Sequence, residues 1–187
     1  MNVKKHLLFF IGFLSLLFVC ISSGCEEKYM YSPKSTDDLL SLIEEGNVHD
    51  LTLTIYYMEL RALTPTPIRL NQLIDGWYDH RVVVSGEELA AYCNLLSQLI
   101  IAPLAPVDEE SFVNARLYYV FEHVEYGELF SFLAFSGGDT MFVNGLEVEY
   151  NSIFFEAVLP FLPDDAFETI ERYINTMRQR PVHHRHP

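Results

Sequence analysis

Positive charge, cysteine and long apolar runs are all scarce in this chain. Lys and Arg number only 12 among 187 residues against 26 Asp and Glu, giving a formal net charge of -14. A balance this acidic repels phosphate backbones and anionic headgroups, which argues against a nucleic-acid partner and against a polybasic membrane-surface protein. The cysteines are Cys20, Cys25 and Cys93, too few for a disulfide scaffold of the kind small secreted domains use. After Ile21 no apolar run approaches the ~20 residues that span a bilayer as a helix. Phosphate-cradling glycine loops, zinc-finger spacings, dinucleotide fingerprints and internal repeats are also missing, so no cofactor is implied. What is present is apolar and aromatic. Half of the residues are hydrophobic, with 14 Phe and 11 Tyr, enough for a packed core and incompatible with general disorder.

The N-terminus reads as an export signal. Lys4 and Lys5 precede the apolar run Leu7 to Ile21, and Ser22-Ser23-Gly24 leads into Cys25; these are the basic, apolar and small-residue parts of a secretory signal peptide. Ser23-Gly24-Cys25 resembles the end of the lipobox of bacterial lipoproteins, with Ser22 where that motif ordinarily carries an aliphatic residue. The resemblance covers residues 1 to 25. It implies cleavage after Gly24, a thioether-linked diacylglycerol on Cys25, and acylation of the new amino group by a chain such as palmitate. The expected location is therefore a bacterial cell membrane or outer membrane, with the domain lipid-anchored outside the cytoplasm. The alternative is an uncleaved anchor helix in which Cys25 is an ordinary thiol. Cleavage removes two lysines and no acid, so the exported part is still more acidic, and Cys93 is left without a disulfide partner.

Four parts are expected: a signal at 1-24, a tether at 25-34, one α+β domain at 35-178, and a polar His-rich tail at 179-187. Ser35 is placed to cap a helix with Leu39, Leu40, Leu42 and Ile43 on one face and Gly46 as its stop. Leu51 to Tyr57 alternates as a strand with a half-wet Thr/Tyr face. Leu63-Thr64-Pro65-Thr66-Pro67 is a loop or edge, and Leu70 to Ile74 is one helical turn. Arg81 to Val84 is a strand running into a capping box, Ser85 with Glu88, that opens a helix from Gly86 to about Ile101. Strands come next at 115-122, 129-135, 140-143 and 146-150, the last two joined by Asn144-Gly145, a strong hairpin signal. Helices at about 153-159 and 166-177 close the chain, the second with Asp165 and Glu168 as cap and box. The whole predicts an antiparallel sheet of five or six strands with helices on one side.

Candidate chemistry is sparse. His183, His184 and His186 could hold a metal weakly, but a terminal tail supplies no scaffold for the ligands. Glu122, Glu125, Glu128 and His123 surround one hairpin without a metal-motif spacing, and a solvated turn is the better account. Ser136 beside Gly137-Gly138-Asp139 lacks the strand-to-helix context of a nucleophile. Cys93 lies on an apolar helix stripe and reads as core. The segment retained as a ligand-binding candidate is Trp77, Tyr78, Asp79 and His80, preceded by Asp75, because aromatic rings beside carboxylates suit sugars or cationic peptides. Tyr56, Tyr118 and Tyr126 are candidates for an exposed aromatic strip. The expected function is a non-catalytic binding or accessory domain of the cell envelope, its partners the membrane through Cys25 and an envelope protein or glycan. The competing reading is an envelope hydrolase acting on peptidoglycan or glycan through Asp75 and Asp79, which would need two carboxylates about 5 to 9 Å apart in a cleft.

Overall fold

The computed structural model describes residues 36-101, 114-136 and 141-179. In chain order the elements are helix α1 (Thr36–Glu44), strand β1 (Leu51–Tyr57), helix α2 (Leu70–Ile74), strand β2 (His80–Ser85), helices α3 (Glu87–Ala90) and α4 (Cys93–Ile101), strands β3 (Ala115–His123), β4 (Gly127–Phe135), β5 (Met141–Val143) and β6 (Leu146–Val148), helix α5 (Ile153–Glu156), a 3-10 turn (Leu159–Phe161) and helix α6 (Asp164–Arg178). The strands form one antiparallel sheet in the order β2-β1-β3-β4-β5-β6, so the domain is α+β as the pattern predicts. Signal, lipobox, tether, Ser35, Gly137 to Asp139 and the tail from residue 180 onward lie outside the described residues. Among the described residues no helix is long and apolar enough to cross a membrane.

Strand alternation decides which face is core. Leu51, Leu53, Ile55 and Tyr57 of β1 are buried together with Leu117, Tyr119 and Phe121 of β3 and with Phe130, Phe132 and Ala134 of β4. Helices α1, α4, α5 and α6 cover this face through Leu39, Ile43, Leu96, Leu99, Phe154, Phe155, Ile170 and Ile174. Its centre is aromatic. The Phe132 ring lies 5.0 Å from Tyr119, 5.3 Å from Phe154 and 5.5 Å from Phe155 between centroids, within the range of stacked and edge-on pairs. Tyr119 is wholly buried, and its hydroxyl donates to the Phe154 carbonyl at 3.0 Å. Tyr119→Phe is therefore expected to cost about 1 to 2 kcal/mol by stranding that carbonyl. Urea denaturation checks this, and unchanged stability would mean that water reaches the carbonyl.

The opposite face carries a second, smaller cluster in which Ile68 and Leu73, from the β1–β2 connection, cover Ala115, Tyr118 and Val120. One short helix, α2, thus lies on the side away from the others. This cover corrects the half-wet expectation: Thr54 and Tyr118 are buried, and only Thr52 and Tyr56 remain partly open.

Two helix starts differ from the sequence reading. Ser85 stays in β2, paired with Thr52, so it caps nothing. Gly86 makes the turn at a φ of 57°, a conformation that glycine adopts without strain. The predicted single helix is broken at Ala91–Tyr92, where Tyr92 N–H bonds back only three residues to the Leu89 carbonyl and its ring packs edge-on against Phe161 at 4.8 Å. Helix α6 begins two residues before the expected Ala166, directly after Pro163, with no side-chain cap. The β5–β6 turn is as predicted, Asn144 and Gly145 having φ of 50° and 75°. Asn144 also locks the hairpin to β4, accepting the Ser131 N–H at 2.7 Å through its side-chain oxygen.

Candidate functional site

Trp77 to His80 form the entry to β2, and a bend at Asp79, just before the strand begins, distributes their side chains instead of gathering them. His80 pairs with Tyr57 and belongs to the helix-covered side. Its ring stacks on Tyr57 at 6.1 Å, and its Nε2 meets Asp165 Oδ2, in the first turn of α6, at 2.9 Å. Asp79 is committed to backbone: Oδ2 accepts the Glu59 N–H at 2.8 Å, while its own N–H donates to the Tyr57 carbonyl. Tyr78 goes to the opposite face, edge-on to Tyr56 at 5.6 Å. Trp77 is half exposed, and Asp75 is exposed at the end of α2.

Around Tyr78 there is a coherent group. Tyr56 stacks on its β3 partner Tyr118 at 6.1 Å, and Arg81, its β2 partner, places its guanidinium 5.7 Å from the Tyr56 ring centroid. A hydrogen bond between the two side chains raises the Arg81 pKa further. Cation-bearing aromatic platforms of this type offer flat apolar contact with a charged rim. Of the remaining aromatic candidates, Tyr126 lies in the β3–β4 turn, stacked on His123 at 4.5 Å. His123 Nδ1 accepts the Glu125 N–H, while Glu122, Glu125 and Glu128 are exposed. Among the described residues no three His, Cys, Asp or Glu side chains are grouped to hold a metal. Cys93 packs against the main core as a free thiol.

Two electrostatic features have no counterpart in the sequence reading. Tyr57 has its pKa pushed up to about 12, chiefly by burial, eased by a hydrogen bond with Thr169 and reinforced by the carboxylates of Glu59, Asp79 and Asp165. Arg116 is wholly buried. Its Nη2 donates to the Ala62 carbonyl at 2.9 Å and to the Thr64 hydroxyl at 3.1 Å, its Nη1 to the Ala115 carbonyl at 3.1 Å, and its Nε has no partner. Burial lowers its pKa, and the nearby Asp79 charge opposes that.

The His80 contact holds the Asp165 pKa below the usual carboxylate value. Because the folded value is depressed, the stabilisation is complete above the unfolded pKa and disappears as the pH falls below about 4. Asp165→Asn is expected to show a smaller loss of urea midpoint between neutral and acid pH than the wild type. Superimposable pH profiles would show that the exposed bridge contributes nothing.

Compared with family models, curated proteins and solved structures, the chain matches none.

Proposed function

We propose that this protein is an exported, lipid-anchored α+β domain of the bacterial envelope that acts by binding and not by catalysis. The observation that carries the proposal is the arrangement at residues 1 to 25: two lysines, one apolar run and Ser23-Gly24-Cys25 at its end. Two or three acyl chains at about 0.8 kcal/mol per buried methylene hold a domain firmly on a membrane where one chain does not. The contact surface proposed for an envelope protein or glycan is the platform of Tyr56, Tyr78 and Arg81. Tyrosine and arginine are enriched at contact surfaces, and here an arginine caps a tyrosine pair.

Intact mass spectrometry of the chain extracted from bacterial membranes tests the anchor. The expected mass lacks residues 1 to 24 and gains diacylglycerol, and Cys25→Ser abolishes both changes. A full-length, unmodified wild-type chain would overturn the reading.

A further inference from the structure

From Leu60 to Ile74 the chain carries Arg61 and Arg69 and no acid at all, although acids make up 26 of its 187 residues. The inward side chains of this stretch are already committed. Leu60 enters the main core, while Ile68 and Leu73 cover Ala115, Tyr118 and Val120. Leu63 is 101% exposed, Ile74 37% and the neighbouring Trp77 52%. The exposure of Leu63 is built in: one guanidinium nitrogen of buried Arg116 binds the residues on both sides of it, Ala62 and Thr64. The segment Ala62–Thr64, directly after the turn at Leu60–Arg61, is held from beneath with Leu63 exposed. Pro65 and Pro67 stiffen the chain on its way from this turn to Ile68. Behind them Asn114 takes the Ile68 N–H, and the Ala115 N–H returns to the Ile68 carbonyl.

The sheet's other end supplies a contrast. The β3–β4 hairpin also exposes apolar side chains, Val124 and Tyr126, but sets them among the exposed Glu122, Glu125 and Glu128. Of these two surfaces, only the Leu60–Ile74 stretch sets its outward apolar residues beside arginines, with exposed acids confined to its edges: Glu59 before it, and Asp75 and Asp79 on either side of Trp77.

We infer that this stretch, with Trp77, seats the domain on a bilayer bearing anionic phospholipid. Leu63, Ile74 and Trp77 enter the headgroup region, and Arg61 and Arg69 pair with lipid phosphates. Tryptophan favours that depth, and cations near an anionic surface are attracted over about a Debye length. The inference rests on the lipid-anchor reading: a domain tethered through Cys25 stays at high effective concentration at the bilayer, so a loop of modest affinity suffices. The acidic remainder of the domain is repelled by the same surface, which fixes the orientation.

Trp77 is the chain's single tryptophan, so fluorescence reports on this site alone. The full chain extracted from bacterial membranes is reconstituted into vesicles of phosphatidylcholine and phosphatidylglycerol, with or without brominated acyl chains. Flotation with the vesicles reads the anchor, and quenching reads the loop. The expected result is flotation with blue-shifted Trp77 emission, most of it lost in brominated lipid. That quenching should weaken in phosphatidylcholine alone, in R61E/R69E and in Leu63→Asp, the last a fully exposed position whose change leaves the circular dichroism unaltered. Flotation with water-like, unquenched emission overturns the loop inference and leaves the anchor standing. A blue shift without quenching places Trp77 against this chain or a second copy of it, out of the lipid, and also overturns the inference. Failure to float overturns the anchor reading and this inference with it.

Discussion

Above about pH 10, the unperturbed tyrosine pKa, the domain is expected to lose stability steeply and to unfold before pH 12. Tyr57 and Tyr150 both have pKa values pushed up to about 12, burial being the largest cause for each, and fully buried Tyr119 is raised well above its ordinary value by burial alone. A folded-state pKa above the unfolded one means that the folded protein holds its proton longer. The resulting stabilisation is intact below the unfolded pKa and lost as the pH rises toward the folded value. Each group raised in this way forfeits on the order of 1 to 2 kcal/mol, and several together are a large part of a domain's marginal stability. The measurement is circular dichroism recorded in parallel with phenolate absorbance. Loss of structure should accompany the late phenolate signal, and ordinary titration of every tyrosine near pH 10 with the fold retained would refute the argument. Tyr150→Phe separates the contributions. The Tyr150 hydroxyl is buried with no hydrogen-bond partner, so its removal should move the alkaline transition upward and leave neutral stability unchanged or higher.

Arg116→Ala is expected to destabilise the domain by about 3 kcal/mol. The guanidinium satisfies two backbone carbonyls and a hydroxyl, and truncation both strands them and opens a cavity beneath the Leu60–Arg61 turn and the segment Ala62–Thr64 that follows it. Removing a poorly solvated charge gives part of this back. Arg116→Met tests the balance: it keeps the packed stem and loses only the donors, so its cost should fall clearly below that of alanine, about 1 to 2 kcal/mol. Chemical denaturation of the three proteins decides it. Alanine within about 0.5 kcal/mol of wild type, the range of ordinary surface changes, would mean that Arg116 is not structurally committed. A variant that retains the sheet but loosens the turn should also show faster amide exchange at Leu63 and Thr64.

Local signals were legible because they are complete within a few residues. The alternation of Leu51 to Tyr57, the Asn144-Gly145 turn and the short helix Leu70–Ile74 all occur where the sequence places them. The helix caps were misread because tertiary partners compete for the same side chains. Ser85 is drawn into pairing with Thr52, and Asp165 turns to His80, 85 residues away. Arg116 looks from its neighbours like an outward polar residue on an alternating strand. A register shift between Ala115 and Leu117, together with a loop arriving from some 50 residues upstream, buries it. The Trp77–His80 candidate shows the converse error. Four residues adjacent in sequence suggest one site, whereas the chain bends at Asp79 just before β2 begins, leaving Tyr78 beside Tyr56 and His80 beside Tyr57 on opposite faces, and the platform is completed by Tyr56 and Tyr118 from the neighbouring strands and Arg81 from β2 itself.

The sheet order also governs when the chain can fold. Strand β1 is interior, yet its partner β3 pairs Leu51 with His123 and Tyr57 with Leu117, so the middle of the sheet cannot close until the chain is largely synthesised. The helix that seals the main core, Asp164–Arg178, comes last among the described elements. Non-local pairing of this kind makes folding slow. A newly made chain therefore cannot close its sheet on β1 alone, and the main core is completed only once Asp164–Arg178 is available.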